Sequence, residues 1–81
     1  MTRVPRDVSG DLLAKKLAKL GYSVMRQSGS HIILTTLRHG EHHVSVPRHN
    51  PIQAGTLNKL LRLVAQHHGC DRDELIDMLS L

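Results

Sequence analysis

Three short strand-like runs separated by two tight turns constrain the fold more than any other feature of this sequence. Residues 22–27, 31–37 and 42–46 are apolar or alternating, and the linkers between them, residues 28–30 and 38–41, each contain a glycine. Linkers this short join antiparallel strands, because a parallel connection needs a dozen or more residues. The sequence therefore predicts two successive hairpins, a three-stranded antiparallel meander, with residues 22–27 as an edge strand.

A short amphipathic helix is predicted before the sheet. Ser9 is a suitable N-cap and Gly21 a suitable stop. Between them the apolar positions recur at four and three residues, the spacing of a helix that buries one face: Leu13, Leu17 and Leu20. The other faces carry lysines: Lys15, Lys16 and Lys19.

Two further helices are predicted after the sheet. The first begins at about Thr56 and ends at Gly69, with one apolar stripe formed by Leu57, Leu60, Leu61 and Val64. Asp71 and Glu74 have the spacing of a capping box, which predicts a last helix whose apolar face holds Leu75, Met78 and Leu79. The predicted class is α+β, in the order α-β-β-β-α-α. One domain over residues 1–81 has its helices packed on one face of the sheet and leaves the other face open.

Charge and composition restrict the partners of this chain. Its 81 residues carry a net charge of +4, and the acidic residues concentrate in residues 71–81, so residues 1–70 are strongly cationic. A phosphate backbone is a natural partner of such a surface, although a basic surface that maintains solubility explains the charge equally well. One tyrosine and no tryptophan or phenylalanine argue against an RNA binder that stacks bases on rings.

The cysteine and hydropathy pattern favour a cytosolic protein. Cys70 is the only cysteine, so no intramolecular disulfide can form, as is usual in a reducing compartment. No apolar stretch approaches membrane-spanning length, and polar residues follow Met1 directly. Residues 1–8 read as an extended basic arm.

The residues with the most chemical promise are Gly29, Ser30 and His31, which directly precede the apolar residues 32–34. A histidine at the start of a strand is held by rigid backbone and can exchange a proton near neutral pH. Strand alternation groups His31 with Ile33 and Thr35 on one face. Because both faces of this strand are apolar, alternation alone does not decide whether His31 points outward.

The ordered set of these features resembles the HicA family of small toxins. The stretch from Ser9 to Gly21, Gly-Ser-His at the start of a strand, Val-Pro-Arg-His at residues 46–49 and Gly-Thr-Leu at residues 55–57 together cover nearly the whole chain. The resemblance implies a fold like that of double-stranded-RNA-binding domains, endoribonuclease activity on mRNA, and inhibition by a cognate HicB-like antitoxin. It also implies that His31 is the functional histidine.

This activity suits a single histidine, because RNA carries its own nucleophile, the ribose 2′-hydroxyl. One positioned histidine can transfer one proton, worth roughly 10²–10⁴ in rate, and cations near the phosphate add charge stabilisation. No metal or other cofactor is required. We therefore expect His31 to be catalytic. The expected substrate-binding residues are Gly29, Ser30, Lys15, Lys16, Lys19, Arg48 and His49.

Other roles remain open at this stage. His49, or the pair His42 and His43, could assist His31. The clusters around His67 and His39 lack the paired spacing of a structural zinc site, so we expect no metal. A non-catalytic RNA-binding module would share the basic face and the fold, and a protein-interaction domain could direct its basic patch to an acidic partner. Whether the chain forms a homo-oligomer is left open.

Overall fold

The structure, a computed structural model, describes Pro5 and residues 7–81. It confirms the predicted α+β class and element order, because one helix precedes three strands and two helices follow them. The strands lie in the order β1-β2-β3 and pair antiparallel throughout. The elements are α1 Gly10–Leu17, β1 Ser23–Ser28, β2 His31–Thr36, β3 His42–Pro47, α2 Ala54–His68 and α3 Arg72–Leu79, with a 3-10 turn at Ala18–Leu20 after α1.

The central strand β2 divides its side chains between two environments. Ile32, Leu34 and Thr36 are buried beneath the helices. His31 is exposed on the opposite side of the strand, and Ile33 and Thr35 are half-buried there. β3 continues the same division, since it buries the residues that pair with Ile32 and Leu34. We call the side of the sheet that carries His31, Ile33 and Thr35 the open face.

The start of α1 lies directly against the end of β3. The Ser9 hydroxyl accepts a hydrogen bond from the Leu12 backbone N–H at 3.0 Å, which confirms the predicted cap. Gly10 follows, and a Cβ at this position would lie 2.0 Å from the carbonyl oxygen of Pro47. Only glycine therefore permits α1 to begin this close to the sheet.

The rest of the first helix follows the sequence closely. Leu13, Leu17 and Leu20 are buried in the core, as their spacing predicted, although Leu20 lies in the 3-10 turn. Gly21 ends this turn with φ of 83°, the left-handed conformation that favours glycine.

The two C-terminal helices depart from the prediction in small ways. α2 begins at Ala54, two residues before the predicted start at Thr56. The capping box of α3 is present, but the prediction that Met78 lies on its buried face is wrong, because Met78 is 48 % exposed and Ile76 is buried instead. Residues are spaced by about 100° around a helix, so burying Ile76 with Leu75 turns Met78 to the solvent side.

The edge strand β1 packs least. All six of its residues are exposed, including Val24 at 54 % and Met25 at 59 %. Its pairing with β2 is irregular between Val24 and Arg26. The basic arm predicted for residues 1–8 lies largely outside the described residues. None of the described helices is long and apolar enough to cross a membrane.

Candidate active site

His31 is the first residue of β2, and its side chain is exposed on the open face. Its backbone pairs with Ser28 of β1 and with Pro47 of β3. Because Ile32 next to it is buried, the strand's alternation turns the imidazole away from the core. The structure thus settles which way His31 points, a question that the sequence left open. The ring is exposed to solvent, and its strand is paired with a neighbouring strand on each side.

The turn before His31 is fixed by backbone contacts. Gly29 has φ of 59°, and an added Cβ would meet no atom within 4 Å, so glycine is needed here for its conformation and not for space. The carbonyl oxygen of Ser30 accepts a hydrogen bond from the Arg48 backbone N–H at 2.6 Å. This bond joins the turn to the segment that leaves β3.

The side chain of Arg48 connects two other elements. Its Nε donates to Oδ1 of Asp11 at 3.1 Å and its Nη2 to Oδ2 of the same carboxylate at 3.4 Å. Its Nη1 donates to Oε1 of Gln27 at 3.1 Å. The guanidinium therefore joins the first turn of α1 to the end of β1, and a carboxylate already neutralises its charge.

His49 is exposed, and its carbonyl oxygen accepts from the Gly10 backbone N–H at 2.9 Å. This bond places it beside the start of α1. Ser30, His31, Arg48 and His49 consequently gather at one end of the sheet, which we call the His31 end.

The lysines of α1 are not all brought to this end. Lys19 lies beyond the C-terminus of α1, where its Nζ approaches the Ser80 hydroxyl at 3.5 Å and its carbonyl oxygen accepts from Arg38 at 3.2 Å. Lys15 is exposed and Lys16 is half-buried on α1 itself, and this helix packs on the side of the sheet opposite the open face. The structure therefore separates Lys19 from His31.

His42 and His43 are also remote from His31. They pair with the last two residues of β2, about 13 Å and about 17 Å along the strand from its first residue. His43 lies on the open face and bonds to Glu41 at 2.7 Å. His42 belongs to the side that the helices cover, where its Nδ1 lies 2.8 Å from the Tyr22 hydroxyl.

Four histidines and Tyr22 cluster at the end of the sheet opposite to His31, and two of the histidines contact Tyr22 directly. The rings of His42 and His67 stack with centroids 4.3 Å apart. His68 contacts the Tyr22 hydroxyl through Nε2 at 3.2 Å, and His39 lies edge-on to His68 at 5.5 Å. We call these five residues the histidine cluster.

The histidine cluster favours the neutral form of two of its rings, those of His42 and His68. Burial, and then the positive charges of neighbouring imidazoles, lowers the pKa of His42 and of His68. Burial raises the pKa of Tyr22 to about 12, so its hydroxyl stays protonated. Within the described part of the chain, no group of three or more His, Cys, Asp or Glu side chains has the geometry to hold a metal ion.

Sequence reasoning missed several residues at the His31 end. Asp11 and Gln27 bind Arg48 from elements far away in the sequence, so no local pattern indicates them. Gly10 gave a weak signal of close packing. A glycine directly after a helix cap lowers helix stability, so its presence indicates that a neighbouring segment leaves no room for a Cβ.

One comparison with known proteins gives a match. The model of the HicA toxin family of bacterial toxin–antitoxin systems matches residues 10–65, from the start of α1 into α2, and so includes the whole sheet. No curated protein and no solved structure matches the chain significantly. Since the family model covers more than half of the sequence, this chain belongs to the HicA family of toxins.

Proposed function

We propose that this toxin is a metal-independent endoribonuclease that cleaves mRNA, with His31 as its proton-transfer group. The observation that supports this most directly is the position of His31. It is exposed on the open face, and its backbone is paired on both sides. A catalytic group on rigid backbone keeps its orientation when the substrate binds, which lowers the entropic cost of reaching the transition state.

The proposed reaction uses the nucleophile that RNA supplies. The ribose 2′-oxygen attacks the neighbouring phosphorus, the bond from phosphorus to the 5′-oxygen of the next nucleotide breaks, and a 2′,3′-cyclic phosphate and a 5′-hydroxyl form. The 2′-hydroxyl loses one proton and the leaving oxygen gains one. His31 carries one of these transfers and solvent carries the other, so the rate gain from proton transfer is limited to roughly 10²–10⁴.

We propose that the residues around His31 bind the substrate phosphate. The Ser30 hydroxyl and the His49 ring are exposed beside it and can donate hydrogen bonds to phosphate oxygens. Gly29 holds the turn that presents them. Lys15, Lys16 and Lys19 would attract the RNA backbone from the helical side through their positive charges. Lys19 would not contact the phosphate at His31, since it lies too far away. The Arg48 guanidinium is excluded from this set, because Asp11 and Gln27 already occupy it.

The partners follow from the family and the proposed chemistry. A toxin of this family is paired with a cognate antitoxin, for which we propose a HicB-like protein. An enzyme that acts on mRNA would work in the cytoplasm.

The test compares His31→Ala with His43→Ala on two substrates. His43 is also an exposed histidine of the open face but lies at the other end of the sheet, so its variant is a matched control. We expect His31→Ala to lose cleavage by roughly 10²-fold or more while it still binds RNA, and His43→Ala to retain it.

The second substrate is the same oligonucleotide with 2′-deoxy sugars. The wild-type protein should bind it without cutting it, because it lacks the attacking hydroxyl. Cleavage that persists undiminished in His31→Ala, or equal cleavage of both substrates, would reject the mechanism. A wild-type protein that binds RNA and cuts neither substrate would be a non-catalytic RNA-binding module.

A further inference from the structure

We infer that Arg48 is a positioning residue, which holds the Gly29–His31 turn through Asp11 and Gln27 and does not bind the substrate phosphate. The effect that this inference predicts on the cleavage rate rests on the proposed nuclease function. Its geometric part can be tested without cleavage.

The first argument is that the guanidinium is already occupied. Nε and Nη2 of Arg48 hold both oxygens of Asp11, and Nη1 holds Gln27, at distances of 3.1 to 3.4 Å. A phosphate that replaced Asp11 would have to break this forked pair and would lie near a second negative charge. Since like charges repel at such distances, Asp11 weakens the site as a phosphate ligand.

The second argument concerns the strand that Arg48 holds. β1 is an edge strand with every residue exposed and with an irregularity in its pairing to β2, so packing fixes it weakly. Gln27 is its last residue but one, and the Gly29–Ser30 turn leads from there directly to His31. A tie at Gln27 therefore restrains the turn from the β1 side, while the Arg48 backbone N–H restrains it at Ser30.

The third argument is that the tie adds little to global stability. The side chains of Arg48 and Asp11 are 43 % and 66 % exposed, and exposed ion pairs contribute about 0–1 kcal/mol. Variants of this cluster should therefore remain folded. A loss of activity in them would report on the geometry at His31 and not on unfolding.

The experiment measures kcat and KM on an RNA oligonucleotide for Arg48→Ala, Arg48→Lys and Gln27→Ala. Arg62→Ala serves as control, because it removes an exposed arginine of α2. We expect kcat to fall by roughly 10-fold to 100-fold in all three, as for a small misplacement of a reacting group, with KM nearly unchanged. Lysine should not restore kcat, because a point charge cannot span Asp11 and Gln27.

The salt dependence of RNA binding separates the two roles of Arg48. In a His31→Ala background, Arg48→Ala should leave the slope of log K against log salt unchanged. If Arg48 bound a phosphate, Arg48→Ala would reduce the magnitude of this slope by about 0.7 and would raise KM, and Arg48→Lys would partly restore both. Any of these results, or an unchanged kcat in Arg48→Ala or Gln27→Ala, would overturn the inference.

A readout without RNA distinguishes this failure from failure of the proposed function. Amide hydrogen exchange at Ser30 and His31 should be faster in Gln27→Ala and Arg48→Ala than in wild type and Arg62→Ala, because local opening of the turn becomes easier. If wild-type protein cuts no RNA but exchange behaves in this way, the nuclease proposal fails and the positioning role stands. Unchanged exchange in both variants refutes the positioning role itself.

Discussion

Replacing Gly10 by alanine tests the close approach of α1 to the end of β3. The added Cβ would lie 2.0 Å from the carbonyl oxygen of Pro47 and 2.9 Å from the Arg48 Cα, both backbone atoms that cannot rotate away. Contacts under 3.0 Å are essentially unknown for real Cβ atoms, so the two segments must separate by about 1 Å. This movement strains the hydrogen bond from the Gly10 N–H to the His49 carbonyl oxygen.

The expected cost follows from these two effects. Overpacking costs about 1–3 kcal/mol, and loss of one hydrogen bond adds about 0.5–1.5 kcal/mol. Alanine returns up to about 1 kcal/mol through its better helix propensity. The free energy of unfolding should therefore fall by about 1–3 kcal/mol, which lowers the Tm of a domain of this size by roughly 5–20 °C.

Gly55→Ala is the matched control for Gly10→Ala. Gly55 also lies in the first turn of a helix, but no atom lies within 4 Å of its added Cβ, so this variant should gain up to about 1 kcal/mol. Urea denaturation followed by circular dichroism measures all three proteins. If Gly10→Ala is as stable as Gly55→Ala, α1 does not approach β3 as closely as described and the steric argument is refuted.

Three further predictions concern the histidine cluster and the last helix. Because the folded state lowers the pKa of His42 and His68, the unfolded chain binds more protons between the lowered pKa values and about pH 6.5. The contribution of these histidines to the free energy of unfolding should be complete above that pH and should be lost as the pH falls through the lowered pKa values. Urea midpoints at about pH 7.5 and about pH 5.5 measure this, and a higher midpoint at the lower pH would contradict it. Tyr22→Phe removes the hydroxyl that contacts both rings and should cost about 1–2 kcal/mol at neutral pH, whereas an unchanged urea midpoint would contradict its role. Asp71→Ala removes the carboxylate that accepts from the Glu74 backbone N–H and should cost about 1 kcal/mol, with partial recovery in Asp71→Ser as the check that capping is the cause.

The elements were predictable where the signal is local. Ser9, Gly21 and Asp71 each act on backbone groups within a few residues, so the sequence alone located three helix boundaries. The strands were predictable because their linkers are too short for any other connection. The exact start of α2 was not, because Gln53 makes no side-chain cap that a pattern could indicate.

The contacts between distant segments were not predictable in the same way. The histidine cluster joins the β2–β3 loop to the end of α2, and two separate histidine groups in the sequence become one only after folding. Lys19 looked equivalent to Lys15 on a helical surface, but only the packing of α1 against the sheet shows which end of the sheet it approaches. Tertiary contacts of this kind depend on crossing angles and register, which a single sequence does not encode locally.

The direction of His31 shows how the core determines the site. Apolar side chains occupy both faces of β2, so the pattern alone permits either orientation. The helices cover Ile32 and Leu34, and burial of these two residues forces His31 outward, since a shift of one residue would expose both and bury the imidazole. The free energy that fixes the ring at the solvent therefore comes from the core and not from contacts of the ring itself. It follows that a conservative core change such as Leu34→Val should lower stability while it leaves the orientation of His31, and hence any cleavage by the folded protein, intact.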